Sequence, residues 1–559
     1  MFSGFGAKVS FVKNGAMAAA LLAAIICLLA YLPTLTCGFI NYDDPDYVLN
    51  NLVIRHLDWN LFTSAFTMPH AGYWMPLTWI SFAIDYHFWR LNPLGYHLTN
   101  IVLHTVNSGL VVLIADRLFR QNSLYGSTAS INKLLYPGML LLAGLLFGLH
   151  PLRVESVAWV TERKDVLNGL FSFGSILFYL RYCQKKAVAG AAASEYILSL
   201  AFFVLSLTAK SVSVVIPAML LVADWYPMGR LKKGNVGAVL VEKIPFLCLS
   251  ALMTLLTFYY TAQSGFLITY EVFPFWQRFV VSGNAVFEYC RLLLYPIGIL
   301  PFHMIPDPIP LSFAVKTAVV VILSCCCIFA GRKRPWICAT WLVFIFPLLP
   351  VLAFFQNGDQ AFAARFTYLP SVGPSIAAGA IIAVACRKGT GTARHFCFAV
   401  SSIFVIIIFL YVGITARLIN VWKTPEAFWS RVIDLDPEVI AFKERGKIHY
   451  QNGEYNAAIE DYSAAMKIAA GIFRTTVFNL YAYRGDAFLA AGRYCEAVQD
   501  FTTAISMLPH KAYYYRRGLA LSALGKPQAA AADFERSGPD PGPMGWFDKD
   551  EDSGGATGR

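Results

Sequence analysis

Residues 16–35, AMAAALLAAIICLLAYLPTL, form an uncharged apolar run, and residues 39–47, FINYDDPDY, follow it with three carboxylates, Asp43, Asp44 and Asp46. A helix of about 20 apolar residues crosses the hydrocarbon core of a bilayer. Charged groups avoid lipid, so the acidic cluster marks the point where the chain leaves the membrane. Lys8 and Lys13 precede the run, which is longer than the apolar core of a signal peptide. An uncleaved signal anchor is therefore expected rather than a removed leader.

The apolar character continues to about Trp422. Of the 559 residues 57% are hydrophobic and only 14% charged, with a mean hydropathy of +0.53, which is too apolar for a soluble chain of this size. The expected fold class is all-α: a polytopic helical membrane domain, residues 1–422, with about eleven spans, followed by a C-terminal α-solenoid, residues 423–537.

The net charge of +11 sits mostly in short loops between apolar runs, as at Arg117 and Arg120, Lys185 and Lys186, Arg230 with Lys232 and Lys233, Arg332 to Arg334, and Arg387 with Lys388. Such clusters report orientation, not a nucleic-acid surface. They alternate correctly if Val280 to Pro296, interrupted by Glu288 and Arg291, does not cross. Long loops at residues 36–97 and 150–165, a shorter one at 356–365, and the C-terminal domain then share the outer side. The 12 cysteines, among them Cys27, Cys248, Cys325 to Cys327 and Cys338, lie largely in apolar runs and show no zinc-ligand spacing, so no metal site is read from them.

Three C-terminal segments align on Gly446, Gly485 and Gly518 and again on Gly453, Gly492 and Gly525, at spacings of 39 and 33 residues. With Tyr455, Ala458, Tyr494 and Ala497 this is the tetratricopeptide pattern of paired helices. Residues 423–437 are expected to cap the solenoid, and residues 538–559 to be disordered. Such a solenoid presents a groove for a protein or peptide; a rigid spacer or self-association surface is the plainer reading.

The first long loop is aromatic, and surface helices with Trp59, Trp74, Trp79 and Trp89 at the membrane interface are expected. The second, HPLRVESVAWVTERKDVLNG, packs His150, Arg153, Glu155, Glu162, Arg163, Lys164 and Asp165 between apolar runs. Guanidinium groups suit a phosphate-bearing lipid, and a carboxylate suits a reacting hydroxyl. On spacing alone, ordinary loop ion pairs account for the same residues.

In order along the chain, NYDDPDYVLNN, PLTWISFAIDYHFW, GYHLTNIVLHTVNSGLVV, LLFGLHPLRVESVAWVTERKDVLNGLF, AKSVSVVIPAMLLVADWYP and ARFTYLPSVG, followed by the repeats, closely resemble the bacterial relatives of the eukaryotic transmembrane and tetratricopeptide repeat-containing proteins. Those proteins belong to the GT-C superfamily, and the eukaryotic members are protein O-mannosyltransferases. The resemblance implies an inverting glycosyltransferase that moves a hexose such as mannose from a polyprenyl-phosphate donor to Ser or Thr hydroxyls of a protein acceptor. It implies a bacterial inner membrane location with the site and the repeats on the periplasmic side, and no nucleic-acid partner.

By the same resemblance Asp43 or Asp44 is the general base and Glu155 the second acidic position. Arg153, Arg163, Lys164 and Arg365 are the candidates for the donor phosphate, with His150, Asp165 and Tyr368 in support. No cofactor is expected; a divalent ion held by Asp43, Asp44 and Asp46 is the alternative. Three positions depart from the family pattern: Met75 stands where relatives carry His, Ala364 where they carry Asp, and Ser211 where they carry Pro. Glycosylation of a lipid or polysaccharide, or a non-enzymatic scaffold built around the repeats, are the competing functions. A transporter lacks the expected repeated halves.

Overall fold

Helices carry nearly all the regular structure of the computed structural model, which describes residues 3–70, 72–121, 135–190, 192–263, 269–301, 303–355, 360–386, 392–469 and 477–540. The chain divides into two compact units, Met1–Lys423 and Thr424–Arg559. In the first, α1 (Ser3–Tyr31) leads through the loop at Asp43 to α2 (Trp59–Thr67), α3 (Pro76–Trp89) and α4 (Pro93–Gln121). Next come α5 (Leu135–Gly148), α6 (Val154–Ala158), α7 (Arg163–Ala189), α8 (Ala193–Ala209), α9 (Ile216–Trp225), α10 (Val236–Val241) and α11 (Ile244–Gln263). The unit closes with α12 (Phe275–Leu294), α13 (Leu311–Ala330), α14 (Pro335–Ile345), α15 (Val372–Cys386) and α16 (Thr392–Val421).

Six helical stretches among the described residues are long and apolar enough to cross a membrane: Gly15–Thr36, Pro93–Gln121, Val160–Val188, Val236–Gln263, Leu311–Ala330 and Ala399–Val421. A seventh, Tyr136–Gly148 with Pro151–Ala158, is bent by 50°, and four shorter apolar helices accompany them. α12 is not among the six; its Glu288 pairs with Arg291 at 2.5 Å and with Lys316 at 2.7 Å. The basic pair Arg387 and Lys388, residues 356–359 and the tail from residue 541 lie outside the described residues.

Small residues let α1, α4 and α5 meet. A Cβ on Gly148 would stand 2.2 Å from Ser108 Oγ on α4 and 2.4 Å from Cys27 Sγ on α1, so only glycine permits this approach. The bend after α5 is set by His150. Its Nδ1 accepts from Leu152 N–H at 3.2 Å, its Nε2 donates to Leu293 O at 3.1 Å, and Pro151 starts the next turn. His150 thereby caps backbone groups that the break leaves open.

The loop between α1 and α4 is folded around Tyr47, Trp79, Phe82, Tyr96 and Val160. Asp58 caps α2 by accepting from Leu61 N–H at 2.9 Å. Trp59 is 78% exposed, whereas Trp79 is fully buried. Trp79 therefore belongs to the core of this loop and not to the membrane interface expected for it, because the inward face of α3 must cover the Tyr47 turn.

The second unit is a stack of helix pairs: α17 (Pro425–Leu435), then α18 (Val439–Gln451) with α19 (Tyr455–Ala469), α20 (Val477–Ala490) with α21 (Tyr494–Met507), and α22 (Lys511–Ala523) with α23 (Pro527–Ser537). The first glycine of each repeat receives an aromatic ring from its partner helix; a Cβ on Gly446 would be 2.7 Å from Tyr462, and one on Gly518 would be 2.8 Å from Phe534. The second glycines, Gly453, Gly492 and Gly525, turn the chain at φ of 80°, 75° and 70°, a conformation that costs glycine little. Each pair is also clamped by a two-pronged ion pair across 16 positions: Arg445 to Asp461 (2.9 and 2.6 Å), Arg484 to Asp500 (2.7 and 2.9 Å) and Arg517 to Asp533 (2.7 and 2.8 Å).

Candidate active site

The adjacent aspartates are separated by their surroundings. Asp44 sits before a helical turn, Pro45–Leu49, whose first residue is proline. Its carboxylate is fully buried and its hydrogen bonds are local and long-range: Oδ2 accepts from Ile40 N–H at 2.7 Å, and Oδ1 accepts from Thr161 N–H at 3.0 Å and Thr161 Oγ1–H at 2.5 Å. Asp44 therefore staples the acidic loop to the Val160–Glu162 turn. Burial pushes its carboxyl up to about 7, against the hydrogen bonds from Thr161 and Ile40.

Asp43 is half-buried and lines a cavity of about 460 Å³. Burial raises its pKa from the ordinary carboxylate value, while Lys164 and Arg365 oppose that rise. Asp46 is exposed. Among the described residues no group of three or more His, Cys, Asp or Glu is arranged to hold a metal ion.

Three cations share the cavity wall with Asp43: Lys164, Lys210 and Arg365. They come from different parts of the chain, the start of α7, the end of α8, and the Ala364–Thr367 turn. One buried carboxylate gathers them. Glu162 lies 3.1 Å from Lys164 Nζ, 3.3 Å from Arg365 Nε and 3.6 Å from Lys210 Nζ. Two further carboxylates hold one cation each: Glu155 accepts from Arg365 Nη1 at 2.6 Å and from its backbone N–H at 3.0 Å, and Asp165 pairs with Lys210 at 2.5 Å. These partners hold the Arg365 guanidinium above its ordinary pKa, despite its burial. The remaining wall is largely apolar and includes Phe258 on α11 with Val351, Leu352 and Phe366.

The structure thus brings Asp43, Lys164 and Arg365 to one cavity, with Glu155 and Asp165 behind it. Arg153 and Arg163 do not line it. Arg163 is fully buried and spent on Asp85 at 2.5 Å, on Tyr96 O at 2.9 Å and on Asn100. Arg153, equally buried, donates to Thr367 Oγ1 at 2.8 Å and lies against the rings of Phe147 and Tyr368. Neither of these two arginines, both expected at the donor phosphate, reaches this cavity, because neighbouring elements enclose them. Tyr368 is also structural, its hydroxyl donating to His104 Nδ1 at 2.8 Å and accepting from Asn107 Nδ2 at 2.9 Å.

Two members of the cluster were not expected from the sequence. Lys210 lies in the AKSVSVV segment, far from the other charges in the chain, and meets them only because α8 packs on α7. Glu162 stands in the loop already noted, but its spacing there does not distinguish it from Glu155. Of the departures from the family pattern, Met75 and Ser211 line the cavity, and Ala364 is buried beside Arg365.

Residues 444–471 and 484–542 match tetratricopeptide repeat models. The chain is also similar to Protein O-mannosyl-transferase tmtc2 of Xenopus laevis, 31% identical over 236 residues, covering 41% of this chain and 26% of that protein. Protein O-mannosyl-transferase TMTC1 of Homo sapiens is 23% identical over 517 residues, 81% of this chain and 55% of that protein. Protein O-mannosyl-transferase TMTC4 of Homo sapiens is 33% identical over 177 residues, 29% of this chain and 23% of that protein. The chain therefore spans from about a quarter to about half of the length of these relatives. It is a relative of the transmembrane and tetratricopeptide repeat-containing proteins.

Proposed function

We propose that this chain is a membrane glycosyltransferase that moves a hexose such as mannose from a polyprenyl-phosphate donor to Ser or Thr hydroxyls of protein. The observation that carries the reading is the placement of Asp43 in one cavity with Lys164, Lys210 and Arg365. A carboxylate with a raised pKa takes a hydroxyl proton more readily than an ordinary one, and a cluster of cations stabilises a phosphate leaving group.

In the reaction, Asp43 removes the proton as the acceptor oxygen attacks the anomeric carbon. The bond from that carbon to the phosphate oxygen breaks, and the charge gained by the polyprenyl phosphate is met by Lys164, Lys210 and Arg365. Asp43 is the only carboxylate among the described residues lining the cavity. Asp44, Glu155 and Asp165 are already engaged by hydrogen bonds or cations. A single available carboxylate favours direct displacement with inversion over a glycosyl-enzyme intermediate. Glu155 takes the role of holding Arg365, and Asp44 that of holding the loop that presents Asp43. The apolar wall at Phe258 and Val351 suits the first isoprene units of the lipid.

On this reading the repeats present the protein acceptor, and the cavity and the repeats work on the periplasmic face of an inner membrane. Glycoproteomic mass spectrometry of envelope proteins from the host tests it, with and without the gene, complemented by wild type or by Asp43→Asn. A Ser- or Thr-linked hexose lost on deletion and restored only by wild type is the expected result. Unchanged protein glycans in all four strains would reject protein as the acceptor and turn attention to lipid or polysaccharide.

A further inference from the structure

Glu162 is buried, does not line the cavity, and takes no part in the displacement just described, yet it touches every cation that does line it. Neither of its oxygens meets hydrogen-bond geometry with these cations in spite of the short approaches. Its contacts with the cations are charge pairs, and it also lies against the Asp165 carboxyl, with which it shares a side-chain hydrogen bond. Three like charges converging on one pocket repel one another, and they stay together only where buried negative charge offsets the repulsion.

The carboxylates divide this work unequally. Glu155 serves Arg365 and Asp165 serves Lys210, so each of those cations keeps a partner if Glu162 is neutralised. Lys164 does not, because Glu162 is the only carboxylate ion-paired with it among the described residues. Lys164 is held on its other sides by aromatic faces, its Nζ being 4.8 Å from the centre of the Tyr47 ring and 5.9 Å from that of Trp159. Those faces attract a cation without fixing its direction. Among the described residues Glu162 is therefore the one carboxylate within ion-pair distance of Lys164, and it ties Lys164 to Lys210 and Arg365.

We propose that Glu162 is a positioning residue for the leaving phosphate: it acts through Lys164, and secondarily through Lys210 and Arg365, by holding the three cations as one anion seat. The proposal rests on the reading that the cavity binds a lipid phosphate. Its consequence is specific, since Glu162 affects capture of the phosphate while Asp43 affects turnover.

The test uses the full chain in detergent and a polyprenyl monophosphate as the probe, with binding and the thermal unfolding midpoint measured on the same samples. Glu162→Gln is expected to weaken binding by at least about tenfold and, since it leaves buried cations less compensated, to lower the midpoint; Glu162→Asp is expected to recover most of the binding loss, and Arg484→Ala, in the repeat unit, to bind like wild type despite its own lowered midpoint. Lys164→Gln closes the cycle: if Glu162 acts through Lys164, the double variant binds within about twofold of the weaker single variant. Should Glu162→Gln fail to fold, Lys164→Gln alone decides: binding is expected to weaken by at least about tenfold, and binding equal to wild type would overturn the proposal. Binding by Glu162→Gln equal to wild type, or losses that simply multiply in the double variant, would overturn the proposal alone. A wild-type chain that binds no polyprenyl monophosphate would overturn both this proposal and the reading beneath it.

Discussion

The repeat unit and the membrane unit use buried charge in opposite ways. In the repeats, Arg445, Arg484 and Arg517 each grip one aspartate, at the same separation along the chain and with the same two-pronged geometry. In the membrane unit Glu162 is shared by three cations, Asp43 is paired with none of them within ion-pair distance among the described residues, and nothing about the arrangement repeats. One-to-one pairs that recur with the helices serve the fold. On the proposed reading, the shared, unrepeated cluster beside the cavity serves a ligand that completes it.

The largest effect that can break this contrast is expected at Asp43. Asp43→Asn should lower sugar transfer by about 10²- to 10⁴-fold, the range of general-base contributions, while leaving the unfolding midpoint near that of wild type. A variant that loses transfer only because it unfolds would move Asp43 into the class of the repeat aspartates.

The pH profile sharpens the same point. Burial raises the Asp43 pKa, and a base must be ionised to work, so transfer should fall on the acid side by about tenfold per unit below a midpoint lying above the ordinary carboxylate value. An acid limb unchanged in Asp43→Glu and wild type alike, and centred at or below pH 3.8, would assign the limb to another group.

Asp44 should behave as a structural carboxyl. Its folded pKa of about 7 exceeds the ordinary 3.8, so its contribution to stability is full below pH 3.8, where both states hold the proton, and is lost as pH rises to about 7. Wild type should therefore lose more of its unfolding midpoint between pH 5 and pH 8 than Asp44→Asn does. Equal losses would contradict the assignment.

The smallest expected effect is in the repeats. Arg484→Ala should cost roughly 1.5–3 kcal/mol, the range for hydrogen bonds to charged groups, read from unfolding of the full chain. Asp500→Ala should cost a similar amount, the two should not add, and polyprenyl phosphate binding should stay unchanged.

The sequence carries much of this, unevenly. The apolar runs and the glycine spacing of the repeats were legible because period and length are local properties. The acidic loop stood out too, but Asp43 and Asp44 are neighbours with the same side chain, and only the hydrogen bonds from Thr161, more than 100 positions away, separate the proposed base from the staple. Arg153 and Arg163 looked equivalent to Lys164 for the same reason: proximity along the chain says nothing about which side chain an adjacent helix encloses. Lys210 was hidden by distance, since it reaches Asp165 across 45 positions. Trp79 was misplaced because an amphipathic helix on a membrane and one folded over a loop core share the same pattern.

The most direct test is transfer by the purified full chain in detergent, from polyprenyl-phosphate-[³H]mannose to a Ser/Thr-rich peptide, comparing wild type with Asp43→Asn. The account predicts label on the peptide with wild type and almost none with Asp43→Asn, although both bind the donor. Equal labelling by the two proteins, or donor binding by wild type with no transfer to any hydroxyl acceptor, would contradict it.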